Sequence, residues 1–155
     1  FEERDINSLY NLSKASNFSG KAINIAKTTA PHAMSYVLTS KYNIPHGQAV
    51  MIILPFVYEF NAKMEGELNE KRGKDHLKKV FEELNSLLYV SSSKEAKEKL
   101  INMMTKLNLK TKLSEITDEE INVKELIHSI NLERLKNNPL KLGKTEIEII
   151  YSCII

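Results

Sequence analysis

The sequence predicts an all-α domain, a multi-helix bundle, on three observations. Apolar residues recur at helical spacing through most of the chain. Only five glycines and four prolines punctuate 155 residues, too few for a sheet protein with many turns. And no stretch of five to eight residues alternates apolar with polar in the manner of a half-buried strand.

The elements follow in order. Asn7 to Phe18 reads as one helix and Gly20 to about Tyr42 as a second, kinked where Pro31 removes a backbone donor in its middle. Asn43-Ile44-Pro45 then breaks the chain. Gln48 to Phe60 is apolar throughout and suits either a buried helix or a buried strand; its length favours a core helix. Met64 to Asp75, charged and holding Gly66 and Gly73, reads as a loop. Leu77, Val80, Phe81, Leu84, Leu87 and Leu88 form one helical stripe, and Ala96, Leu100, Ile101, Met104 and Leu107 another. Ser92 with Glu95 supplies a capping box for the latter, and Thr117 with Glu120 repeats that signature ahead of Ile121, Leu126, Ile127 and Ile130. A last helix is expected from about Lys144 to Cys153, after Gly143.

Composition narrows the function. Twenty-two basic and twenty acidic side chains leave a net charge of +2, which argues against a nucleic-acid binder working by phosphate neutralisation. The longest apolar run, Ala49 to Tyr58, contains Pro55 and is too short to span a membrane. Cys153 is the single cysteine, so an internal disulfide and a cysteine-based zinc finger are excluded, and a reducing, cytoplasmic setting is expected. Charged residues follow Phe1 closely, unlike a signal peptide, and without a starting methionine the chain reads as a single helical domain, residues 1–155, cut from something longer.

Of four histidines, His76 and His128 sit in charged amphipathic segments and read as surface residues. His32 and His46 differ, each following a proline, in Ala30-Pro31-His32-Ala33 and Ile44-Pro45-His46-Gly47. Fourteen residues on one straight helix would separate them by about 21 Å, too far to share a metal. The break at Asn43 to Pro45 allows the chain to fold back and bring the imidazoles together, and Gly47 allows close approach of backbone or cofactor. Two neutral imidazoles suit zinc or ferrous iron. The spacing gives half a site; no third ligand stands at convincing spacing, and the alternative is two unrelated structural histidines in a helical interaction module.

The run Gly20-Lys-Ala-Ile-Asn-Ile-Ala-Lys-Thr-Thr-Ala-Pro-His32, followed by Ile44-Pro-His46-Gly47-Gln-Ala49, resembles the signature of the iron-containing alcohol dehydrogenases. The Asn138-Pro139-Leu-Lys-Leu stretch before a final short helix is similar to the end of that family's chain. The resemblance implies an all-helical C-terminal domain of the dehydroquinate synthase-like type, lacking here the N-terminal α/β nucleotide-binding domain that would be its partner. It implies a metal, Fe2+ or Zn2+, held by an aspartate and three histidines, with His32 and His46 matching the two that stand fourteen apart. The remaining ligands and the Gly-rich loop for NAD(P) would lie upstream. The implied activity is NAD(P)-dependent interconversion of a small alcohol and aldehyde, and this chain alone would be inactive. A zinc polyol dehydrogenase or a dehydroquinate synthase relative would share the fold.

Two departures from the family pattern bear on substrate. Tyr36 stands where many members carry a further histidine, one turn from His32, and could relay protons or pack. Lys27 and Thr29 replace family glycines, and the Lys-Thr-Thr-Ala-Pro-His-Ala run is similar to the subgroup that reduces phosphonoacetaldehyde. Lys27 and Thr28 are therefore candidate substrate-binding groups for an anionic aldehyde. A face left without its partner domain would expose apolar surface and could drive homo-oligomer formation.

Overall fold

Helical periodicity carries through into a computed structural model that describes residues 5–155. Those residues form eight α-helices and one 3-10 turn, with no strand. The helices are α1 (Ile6–Ala26), α2 (Ala30–Tyr42), α3 (His46–Lys63), α4 (Lys74–Leu87), α5 (Ser93–Lys106), α6 (Val123–His128), α7 (Leu132–Leu135) and α8 (Lys144–Ile154). None is long and apolar enough to cross a membrane.

The apolar segment after the chain break is a helix, α3, and it forms the centre of the bundle. It packs against α2, α5 and α8, burying Ala49, Ile52, Ile53 and Val57. The main core joins these to Met34 and Leu38 of α2 and to Ile147, Ile150, Tyr151 and Ile154 of α8. A second cluster sets Tyr58 of α3 against Leu77 and Phe81 of α4, with Ala96 and Leu100 of α5 and Leu140 beside them. Tyr58 meets Phe81 edge to face, the arrangement aromatic quadrupoles favour.

Three boundaries depart from the sequence reading. First, α1 runs unbroken through Gly20 to Ala26, and the chain breaks at Lys27 to Thr29 instead of kinking at Pro31. Pro31 falls in the first turn of α2, where its missing N–H costs nothing and its fixed φ suits the helix. Second, Thr117 does not open a helix. Its hydroxyl accepts from the Glu119 N–H, while Asn122 caps α6 by accepting from the Lys124 and Glu125 N–H groups. Third, the short helix α7, capped by Asn131, carried no periodic signal. Elsewhere the punctuation reads correctly: Ser92 caps α5 by accepting from the Glu95 N–H, although the Glu95 carboxylate returns to the N–H of Ser91 and not of Ser92. The loop at 64–73 is tied to the segment before α8, where Asn69 N–H donates to Pro139 O and Lys141 N–H to Glu67 O.

Candidate metal centre

The site begins with two local breaks. At the first, Lys27 takes φ 62° and ψ −172°, a conformation that favours glycine, at the position where the family pattern has one. The side chain of Asn137 steadies this turn, its Nδ2 donating to Ala26 O and to Thr28 O at 2.9 Å each. Thr29 is extended, and the N–H groups of His32 and Ala33 bond back to its carbonyl, so His32 sits in the first turn of α2. At the second break Asn43 adopts the left-handed conformation that a short polar side chain tolerates. Ile44 then buries itself, its N–H donating to Leu38 O, and Pro45 leads straight into α3 with His46 as its first residue.

The reversal brings the two imidazoles together. Their ring centroids lie 5.5 Å apart with planes tilted by 59°. His32 is half-buried, and His46 and Gly47 face outward. A Cβ added at Gly47 would meet nothing within 4 Å, so the approach to His46 is open on that side. Burial pushes the His32 pKa down, and the nearby His46 pushes it further in the same direction. Both effects favour the neutral form of His32, the form that a metal requires.

Tyr36 completes the front of the site. Its ring stacks on His46 at 5.6 Å and 21°, and the Arg134 guanidinium lies over that same ring with Cζ 4.4 Å from the centroid. Behind these side chains the scaffold is buried and hydrogen-bonded. The Tyr151 hydroxyl of α8, its pKa raised by burial, donates to Met34 O between His32 and Tyr36 along α2. Asn138 and Asn61 exchange side-chain amide bonds of 3.0 and 2.8 Å, both fully enclosed, and Asn138 also donates to Leu140 O.

Not every sequence candidate joins this cluster. Lys27 lines a separate recess of about 740 Å³ that it shares with Tyr58, Asn61, Arg72 and His76; neither His32 nor His46 lines it. Thr28 is half-buried on the turn, its carbonyl engaged by Asn137. The His128 ring bonds to Lys124 O within its own helix. No third His, Cys, Asp or Glu among the described residues joins the pair to make a set of three. Two imidazoles that converge with one side open fit two positions of a metal's coordination sphere and leave the others to groups outside it.

The model of the Fe-containing alcohol dehydrogenase family, C-terminal, matches residues 2–155. The chain belongs to that family. Among curated proteins, the phosphonoacetaldehyde reductase of Streptomyces viridochromogenes is 35% identical over 74 residues, 47% of this chain and 19% of its own length. The NADPH-dependent butanol dehydrogenase of Clostridium saccharobutylicum is 28% identical over 145 residues, 88% of this chain and 35% of its own. Among solved structures, an archaeal halo-thermophilic alcohol dehydrogenase from a Red Sea brine pool, bound to NZQ, superposes with a TM-score of 0.81 at 23% identity. That match covers 98% of this chain and 39% of the other. The sulfoacetaldehyde reductase of Bifidobacterium kashiwanohense, solved with NAD+, gives a TM-score of 0.59 at 20% identity, over 83% of this chain and 31% of the other. The chain thus spans well under half the length of these relatives, and the structural matches carry the all-helical C-terminal fold.

Proposed function

We propose that this chain is the helical half of a metal- and NAD(P)-dependent alcohol dehydrogenase or aldehyde reductase, and that His32 and His46 are two of its metal ligands. The observation that carries the reading is the convergence of the two rings at 5.5 Å across a chain reversal, with one side left open. Fe2+ or Zn2+ bound there would act as a Lewis acid on the substrate oxygen. In the reducing direction the carbonyl carbon takes a hydride from NAD(P)H and the oxygen takes a proton, giving an alcohol and the oxidised nicotinamide.

The chain's own groups have defined tasks in this reading. His32 and His46 offer imidazole nitrogens as ligands, and burial favours the neutral form of His32. The His46–Tyr36 stack fixes ring orientation at the mouth, with Tyr36 the candidate for holding or passing a proton there. Lys27 and Thr28, on the turn entering α2, are substrate-side groups in this reading. In this reading the remaining ligands come from a helix upstream of this chain and the nucleotide site from an α/β domain before it, so this chain alone is expected to be inactive.

The substrate class proposed is a short aldehyde carrying a negative charge, because the named activities of the Streptomyces and Bifidobacterium relatives are toward a phosphonoacetaldehyde and a sulfoacetaldehyde. The test is an assay of the full-length protein, loaded with iron or zinc, using NADH and NADPH with phosphonoacetaldehyde, sulfoacetaldehyde and butanal. Turnover faster with an anionic aldehyde than with butanal is expected. Lys27→Ala should raise KM for the anionic aldehyde more than for butanal, and equal effects would remove its role. No nicotinamide-dependent turnover of any of the three would contradict the reading.

A further inference from the structure

Beside the histidine pair stands one cation that neither the ligand assignment nor the family pattern uses. Arg134 reaches from α7 to lay its guanidinium over Tyr36, and the Tyr36 ring stacks in turn on His46. The three groups form a column from α7 across α2 to the start of α3. Arg134 makes no ion pair among the described residues. Its neighbour Glu133, the nearest carboxylate in sequence, is taken by Lys136 through both oxygens at 2.7 and 2.8 Å. The backbone that carries Arg134 is held in place. Asn131 caps α7, accepting from the Glu133 N–H, and Leu135 is buried in the main core.

We propose that Arg134 binds the anionic end of the substrate, forking its guanidinium N–H groups onto a phosphonate or sulfonate while the aldehyde oxygen points toward the two imidazoles. This rests on the functional reading above and adds to it the residue that reads charge. The chemistry favours arginine here over lysine. With Cζ 4.4 Å from the Tyr36 centroid and no ion pair among the described residues, the guanidinium keeps donors for a tetrahedral oxyanion, which its planar fork matches better than a point-like ammonium. The ring also fixes the long side chain before substrate arrives, which lowers the entropy lost on binding. Lys27, the substrate-side cation of the functional reading, lines a recess that neither histidine lines, whereas Arg134 stands at the pair itself through Tyr36.

The experiment uses the full-length, metal-loaded protein with Arg134→Ala, Arg134→Gln and Arg134→Lys. Steady-state rates are read with phosphonoacetaldehyde, sulfoacetaldehyde and butanal, and calorimetry measures the Kd of 2-hydroxyethylphosphonate and 2-hydroxyethylsulfonate. The Ala and Gln variants should raise KM for the anionic aldehydes about tenfold or more, with kcat and the butanal parameters within about twofold of wild type. The Kd of the hydroxyethyl anions should weaken by a similar factor, and Lys should restore part of the loss. A larger effect on one anion than on the other identifies which oxyanion the site prefers. A KM rise that is equal for butanal, or anion affinities unchanged in the Ala and Gln variants, would overturn the proposal. Calorimetry separates this from failure of the functional reading: a protein that turns over no aldehyde, yet binds the hydroxyethyl anions through Arg134, retains the anion site and loses only the reaction. A wild-type protein that binds neither anion overturns it.

Discussion

Helices α1 and α2 follow one another with three residues between them, yet they relate to the core in opposite ways. In α2, eight of thirteen residues are buried, among them Met34 and Leu38 with no exposed surface. In α1, none of the twenty-one is buried, although it carries Ile6, Leu9, Tyr10, Leu12, Phe18, Ile23 and Ile25. Asp5 caps α1 by accepting from the Ser8 N–H, and Lys14 and Lys21 flank the Phe18 ring at one-turn spacing. The difference is one of partners: α2 packs against α3, α6 and α7, and α1 buries no side chain, its last residue Ala26 being held through its carbonyl by Asn137. A residue's contribution to stability follows the contacts that its element makes, and the site is built on the element that has them.

This contrast can be tested by substitution, monitored as denaturant unfolding of the chain. Met34→Ala empties a fully enclosed position behind the histidines and should cost about 3 kcal/mol, within the usual range for large-to-small core changes. A cost below about 1 kcal/mol would mean that α2 is not seated as described. Asn138→Ala strands the amide of Asn61 in an enclosed setting and should cost about 2 kcal/mol, since an orphaned buried polar group forfeits its desolvation. Asn138→Asp would not rescue it, because the carboxylate lacks the donor that Asn61 Oδ1 and Leu140 O accept. Leu9→Ala in α1 should change stability by no more than about 0.5 kcal/mol, as for a surface substitution. If Leu9→Ala costs as much as Met34→Ala, α1 is packed against something in solution and the comparison fails.

The same contrast explains what was readable beforehand. Ser92 declares the start of α5 because its cap is closed by a residue three positions on. The reversal at Asn43 to Pro45 was legible because a left-handed asparagine and a proline are local devices, and it is this reversal that brings His32 and His46 together. Pro31 misled, since proline reads the same in a kink and in a first turn, and only the break at Lys27 to Thr29 decides between them. Thr117 misled because Asn122, five residues on, competes successfully for the cap. Arg134, Asn137 and Asn138 could not be found by spacing at all. Their partners, Tyr36, the turn after α1, and Asn61, lie far away in sequence, and nothing local marks such pairings. Lys27 was singled out by pattern, and in the fold it lines a recess that neither histidine lines.

What matters most is whether the facing imidazoles bind a cation jointly. The direct measurement is metal content, by elemental analysis of the full-length protein after gel filtration, for His32→Ala and His46→Ala alongside His76→Ala and His128→Ala. Loss of most of the bound metal in the first two and full retention in the last two is the predicted result. Wild-type metal content in both His32→Ala and His46→Ala would contradict it.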